Sequence, residues 1–145
     1  MEKEDSNFTC TAVDEEKEIV LIAGGKLGPF KDWVTETLKN NPKQDIRLFF
    51  GANSKTDLNG SKQLYDLSDL TDNFQMVTAL NSPNPEWEGE AGLITDVVRD
   101  QVNPKKVNKC FLYGTRVMID ETKQALNNMG IPGEKIHHKS FTRDY

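Results

Sequence analysis

The chain is poor in the residues that usually announce chemistry. Its 145 residues include two cysteines, Cys10 and Cys110, and two histidines, His137 and His138. The cysteines lie far apart and no CxxC spacing occurs, so neither a disulfide framework nor a zinc site is expected. Neighbouring residues on a strand face opposite sides, so His137 and His138 cannot hold one metal between them, and no metal is expected. No Ser-His-Asp or Cys-His grouping stands out, and no catalytic residue is assigned. Long hydrophobic runs are missing too; the longest falls well short of the ~18 residues a membrane span needs. The N-terminus, MEKEDSNF, is acidic and lacks the apolar core of a secretory signal, so a cytoplasmic location is expected. Positive charge is outweighed: 18 Lys and Arg against 23 Asp and Glu leave a net charge of −5, which repels a nucleic-acid backbone.

What is present is an alternation of two periodicities. Residues 19–23, IVLIA, form a short continuous apolar run, the mark of a strand buried on both faces. Residues 29–40 place Phe30, Trp33, Val34, Thr37 and Leu38 at helical spacing behind Pro29, which suits a first turn. The pattern repeats: strands at 46–52, 74–80, 109–114 and 135–141, helices at 61–72, 91–102 and 117–130. This alternation specifies an α/β fold, a three-layer, doubly wound, five-stranded parallel sheet with helices on both faces. Residues 1–18, polar and charged, read as a separate N-terminal segment, and 19–145 as the domain proper.

Ligands of such sheets sit at the carboxyl ends of the strands. Those ends are Gly24-Gly25, Gly51-Ala52-Asn53, Leu80-Asn81-Ser82 and Tyr113-Gly114-Thr115, and three of the four carry glycine. Gly24 and Gly25 either let the backbone approach a pyrophosphate at the start of the next helix or merely turn the chain. Lys26 pairs with a phosphate or is a solvated loop lysine. Asn53, Ser54 and Lys55 contact a ribose or its 2′-phosphate, or cap the following helix, where Asp57 is the N-cap candidate. The loop NSPNPEWEG (81–89) carries Trp87, which packs beneath it or stacks on a ligand.

In the order IVLIAGG…GPF, IRLFFGA…DL, FQMVTAL…P…WEGEAGLITDVV, FLYG…M and IHHKSF, the chain resembles the NAD(P)-binding domain of the ferredoxin–NADP reductase superfamily. It is most similar to the reductase components of aromatic-ring dioxygenases and monooxygenases, and the resemblance runs from about residue 19 to 141. Together with the alternation it implies that family's sheet order, with the 19–23 strand central and the 135–141 strand at one edge. It implies an electron-transfer reductase in which NAD(P)H passes hydride to a flavin held by a separate domain. A ferredoxin or oxygenase component would stand further along. Residues 8–13, FTCTAV, resemble the last strand of that flavin domain. The flavin barrel and the ferredoxin cysteine cluster are missing here, so this chain alone is expected to bind a pyridine nucleotide, with FAD supplied from elsewhere.

On that resemblance Gly24, Gly25, Lys26, Gly28 and Pro29 hold the pyrophosphate. Gly51, Asn53, Ser54 and Lys55 hold the adenosine end, and Tyr113, Gly114, Thr115 and Arg116, with the closing Phe141, the nicotinamide end. The departures fall together. The family's Gly-Gly-Thr-Gly-x-x-Pro-Phe loop is one residue shorter here and lacks the Thr-Gly pair. Tyr113 stands where the family carries a cysteine beside the nicotinamide, and two prolines after Gly114 are gone. A second reading therefore stays open, a domain of the same fold kept for protein interaction, and NAD and NADP are not distinguished.

Overall fold

The computed structural model describes residues 17–52, 62–81 and 90–140. Among these described residues six strands and four α-helices follow in order: β1 (Glu18–Gly24), α1 (Phe30–Asn40), β2 (Asp45–Ala52), α2 (Lys62–Leu70), β3 (Phe74–Leu80), β4 (Glu90–Ala91), α3 (Ile94–Gln101), β5 (Val107–Gly114), α4 (Arg116–Asn128) and β6 (Ile136–Ser140). Every strand pair is parallel and the sheet order is β4-β3-β2-β1-β5-β6. β1 is central and β6 lies at an edge, as the alternation and the family resemblance together predict. The expected five strands become six. β4 is two exposed residues joined to β3 through Ala79↔Glu90 and Leu80↔Ala91, and a glutamate beside an alanine offers no apolar pattern to read.

Period-2 alternation divides the apolar residues of β1 between two cores. Ile19, Leu21 and Ala23 pack with Phe30, Trp33, Val34 and Leu38 of α1 and Leu64 of α2. Val20 and Ile22 pack with Ile94, Val97 and Val98 of α3 and Ile119 and Leu126 of α4. All five residues from Ile19 to Ala23 are fully buried, which is why the run has no polar member.

The end of the sheet away from the glycines is tied by charge. Arg47 lies 3.7 Å from Glu18, donates to the Gln101 carbonyl at 2.8 Å and sits over the Phe49 ring, 5.0 Å from its centroid. Burial pushes the Glu18 carboxyl above its ordinary pKa, and Arg47 partly offsets that rise. Helix boundaries follow local chemistry. α1 has Asp32 in its first turn and Lys39 in its last, each complementing the helix dipole. α3 begins at Ile94, later than the expected 91, because Gly92 adopts φ +107° and Leu93 is extended. No helix among the described residues is long and apolar enough to cross a membrane.

Candidate functional site

The carboxyl ends of β1, β2 and β3 open onto a cleft of about 310 Å³, lined by Gly24, Gly25, Gly51, Ala52, Asn81, Gly92, Leu93, Ile94 and Met118. Parallel pairing aligns Gly24 with Gly51, so two glycines from distant sequence form adjacent floor. The space they leave is occupied to the limit. A Cβ on Gly51 would lie 2.7 Å from Ile94 Cβ, and one on Gly24 would lie 3.1 Å from Met118 Cγ. These glycines therefore let α3 and α4 close against the strand ends, leaving a cleft with a glycine floor and with Leu93, Ile94 and Met118 in its lining.

The loop from 25 to 30 leads off this floor. Gly25 N–H donates to the Gly51 carbonyl at 2.7 Å and Phe30 N–H to the Leu27 carbonyl at 3.1 Å, so the loop uses its first and last amides on the protein itself. An anion arriving here meets the stretch between them. Lys26 and Gly28 are exposed and Pro29 half-buried; Pro29 is the N-cap of α1 and supplies no side-chain cap. The start of α1, with about half a positive charge from its dipole, thus carries no side-chain acceptor of its own at the cap. α3 also begins without one, at Leu93. α4 differs: the Thr115 hydroxyl accepts from Met118 N–H at 3.2 Å and caps it.

The residues expected at the nicotinamide end divide. Gly114 is buried and faces the cleft wall, where a Cβ would lie 2.7 Å from Met118 Sδ. Arg116 is the half-buried first residue of α4. Tyr113 points to the other face of the sheet, packed with the α1 core, its ring edge-on to Phe30 with centroids 6.1 Å apart. Burial raises the pKa of its phenol. Asn53, Ser54, Lys55, Asp57, Trp87 and Phe141 lie outside the described residues, as does most of the N-terminal segment. Gly92, Leu93, Ile94 and Met118 complete the cleft, and the sequence reading does not single them out. The available signal is a glycine just before a helix, the same device as in the first loop.

Neither histidine enters the cleft. His137 stacks on Phe111 with centroids 5.2 Å apart, and His138 is buried on the opposite face. Among the described residues no group of His, Cys, Asp and Glu is placed to hold a metal. Cys110 is a free, buried thiol whose pKa is pushed up to about 12, chiefly by burial and then by Glu18. Since the thiolate is the nucleophile, this cysteine is inert. In a Cys10→Ser chain, Cys110 is expected to resist iodoacetamide at pH 8 until denaturant is added. Alkylation of the folded chain at the rate of a free thiol would contradict that.

The fold and cleft have counterparts among known proteins. The sequence profile of the oxidoreductase NAD-binding domain matches residues 21–124. One subunit of the Na(+)-translocating NADH-quinone reductase of Marinomonas sp. (strain MWYL1) is 28% identical over 134 residues, 86% of this chain and 33% of that protein. The corresponding protein of Neisseria meningitidis serogroup B is 30% identical over 133 residues, again 86% and 33%. The chain thus spans about one third of the length of the curated relatives it matches. Among solved structures, an Amycolatopsis cytochrome P450 reductase shares the fold at a TM-score of 0.78, with 23% identity and coverage of 90% of this chain and 39% of the other. A Neisseria gonorrhoeae ferredoxin NADP+ reductase with bound FAD and NADP does so at 0.71, with 20% identity and coverage of 87% and 56%. With a profile matched across most of its length and a glycine-floored cleft at the strand ends, the chain belongs to the oxidoreductase NAD-binding domain family.

Proposed function

We propose that this chain is the NAD(P)H-binding domain of a flavin-dependent electron-transfer reductase. One observation carries the reading: three parallel strands end at a single cleft floored by Gly24, Gly25 and Gly51, beside the start of α3 and with the loop to α1 leading off it. The loop between Gly25 and Phe30 meets the pyrophosphate there, with Lys26 as its cation. Gly51 and Ala52, continued by Asn53, Ser54 and Lys55, serve the adenosine end. Gly114, Thr115 and Arg116 border the nicotinamide end, with Phe141 closing it.

The flavin, held by a separate domain or chain, supplies the hydride acceptor, and the residues here bind and orient the donor. Proteins similar to this chain support the arrangement, from the NADH-quinone reductases to the ferredoxin reductase of carbazole 1,9a-dioxygenase. A ferredoxin or oxygenase component is the corresponding downstream partner. Residues 1–18 then serve as the connection to the flavin domain, and the cytoplasm, where NAD(P)H is made and used, is the compartment.

Lys26 is the only cation between residues 25 and 30, and hydrogen bonds to charged groups contribute about 1.5–3 kcal/mol. Lys26→Ala is expected to weaken NAD(P)H binding roughly ten- to a hundredfold, since each 1.4 kcal/mol is about a factor of ten. Calorimetric titration of both chains with NADH and NADPH measures it. The reading as an interaction scaffold is favoured by the shortened loop and by Tyr113. It predicts instead no binding to wild type at millimolar nucleotide, and that result would end the proposal.

A further inference from the structure

The chain has four methionines, Met1, Met76, Met118 and Met129. Of the three among the described residues, Met76 packs against the α1 core and Met129 against the core beneath α3 and α4. Met118 is half-buried against that second core as well, but it alone of the three also lines the cleft. A thioether is soft and polarizable, and peroxide oxidises it where the sulfur can be reached. The other residues of the lining are glycine, alanine, asparagine, leucine and isoleucine, which carry no sulfur. Met118 is therefore the one part of the cleft lining that a peroxide can rewrite.

The surroundings decide where an added oxygen can go. The Met118 side chain rests on the main chain of two strand ends. A Cβ on Gly24 would lie 3.1 Å from its Cγ and 3.4 Å from its Sδ, and one on Gly114 would lie 2.7 Å from Sδ. An oxygen bonded to the sulfur finds no more room on that side than those carbons would. The residue is also held in place. Met118 N–H donates to the Thr115 hydroxyl at 3.2 Å, and its carbonyl accepts from the Thr122 hydroxyl at 2.7 Å. With the strand ends on one side and the main chain pinned, the open direction is the cleft itself.

We propose that Met118 is an oxidation switch: hydrogen peroxide converts it to the sulfoxide in the nucleotide-free chain, and the cleft then no longer takes the dinucleotide. This inference rests on the dinucleotide reading above. The sulfur gives an electron pair to one oxygen of the peroxide, so an S–O bond forms as the O–O bond breaks. Sulfur is oxidised by two electrons, the peroxide is reduced, and its other oxygen leaves with both protons as water. The product is polar and chiral where the thioether was apolar and pliable. Its oxygen projects into the space the ligand needs, and a bound ligand would strip that oxygen of water without offering it a donor. A ligand already in the cleft covers the sulfur, so nucleotide and peroxide compete for the same wall. Reduction of the sulfoxide reopens the cleft.

Peroxide treatment of the full chain, in a Cys10→Ser background, tests the switch. Trypsin places Met76, Met118 and Met129 in separate peptides, 63–99, 117–123 and 124–135, so mass spectrometry follows each one. Met118 is expected to oxidise fastest of the three. NADH at about ten times its dissociation constant should slow Met118 about tenfold and leave the other two unchanged. Calorimetric titration of the oxidised chain should show NADH affinity weakened about tenfold or more. Methionine sulfoxide reductases acting on both epimers, with dithiothreitol, should restore it, and dithiothreitol alone should not. In Met118→Leu, peroxide should leave that variant's own NADH affinity where it was. A Met118 that oxidises no faster than Met76 and Met129, or at the same rate with and without NADH, overturns the proposal. So does peroxide that weakens binding equally in Met118→Leu, which places the effect at another residue. A wild type that binds no NADH before treatment ends the dinucleotide reading and the switch with it, whereas NADH binding that survives Met118 oxidation ends the switch alone.

Discussion

Phe49→Ala is expected to remove about 3–5 kcal/mol of folding stability, the range for deleting a buried phenylalanine. Phe49 is fully buried in the core beneath α3 and α4 and supports the Arg47 guanidinium on its face. Truncation leaves a cavity in the middle of β2 and takes away the apolar surface under a cation that also reaches Glu18 and Gln101. Against a total of roughly 5–15 kcal/mol for a domain, that is a large share. Urea denaturation should show the midpoint falling while the slope stays constant. Leu70→Ala, at a side chain 84% exposed, is the comparison and should stay within about 0.5 kcal/mol of wild type. A loss below about 1.5 kcal/mol for Phe49→Ala would mean that β2 repacks around the gap, contrary to a close-packed core.

Gly28→Val is expected to abolish measurable nucleotide binding, a loss of about a hundredfold or more, corresponding to about 2.8 kcal/mol. Two costs combine. The left-handed backbone at φ +53° penalises a residue with a Cβ by about 1–2 kcal/mol. The branched side chain must also displace the Tyr113 ring from a position 2.1 Å away, and overpacking of that kind costs about 1–3 kcal/mol. The loop relieves both by moving, which carries its amides off any phosphate. The pair Gly28→Ala and Gly28→Ala/Tyr113→Ala separates the two contributions. Removing the ring should restore part of the stability lost by Gly28→Ala and leave the backbone cost in place. Additive effects of the two changes would show that ring and loop are not in contact.

The elements were legible where one residue's environment is uniform along a segment. Ile19 to Ala23 read as a doubly covered strand because every side chain there is buried, on whichever face. Phe30, Trp33, Val34 and Leu38 read as a helix face because α1 buries those four against the sheet. Glu90 and Ala91 were not legible as a strand, since their pairing rests on the main-chain register with β3 alone. The site was legible at its floor, because glycine at a strand end is a local sign. Its walls were not. Ile94 and Met118 become walls only when α3 and α4 fold back over Gly51 and Gly114, and nothing local to either residue encodes that approach. The seating of Tyr113 on Gly28 is likewise a contact between β5 and the loop after β1, visible in sequence only as a tyrosine in an unusual place.

A cleft whose floor is main chain follows an unusual rule of inheritance. At Gly24, Gly51 and Gly114 an added methyl group runs into Met118 or Ile94, so descendants of this sequence can lose the hollow by gaining atoms. They cannot retune it by exchanging one side chain for another, because the floor presents none to exchange. Any drift in ligand preference across generations must be written in the walls and the loop, in residues such as Leu93, Ile94, Met118 and Lys26, while the floor itself either persists or closes.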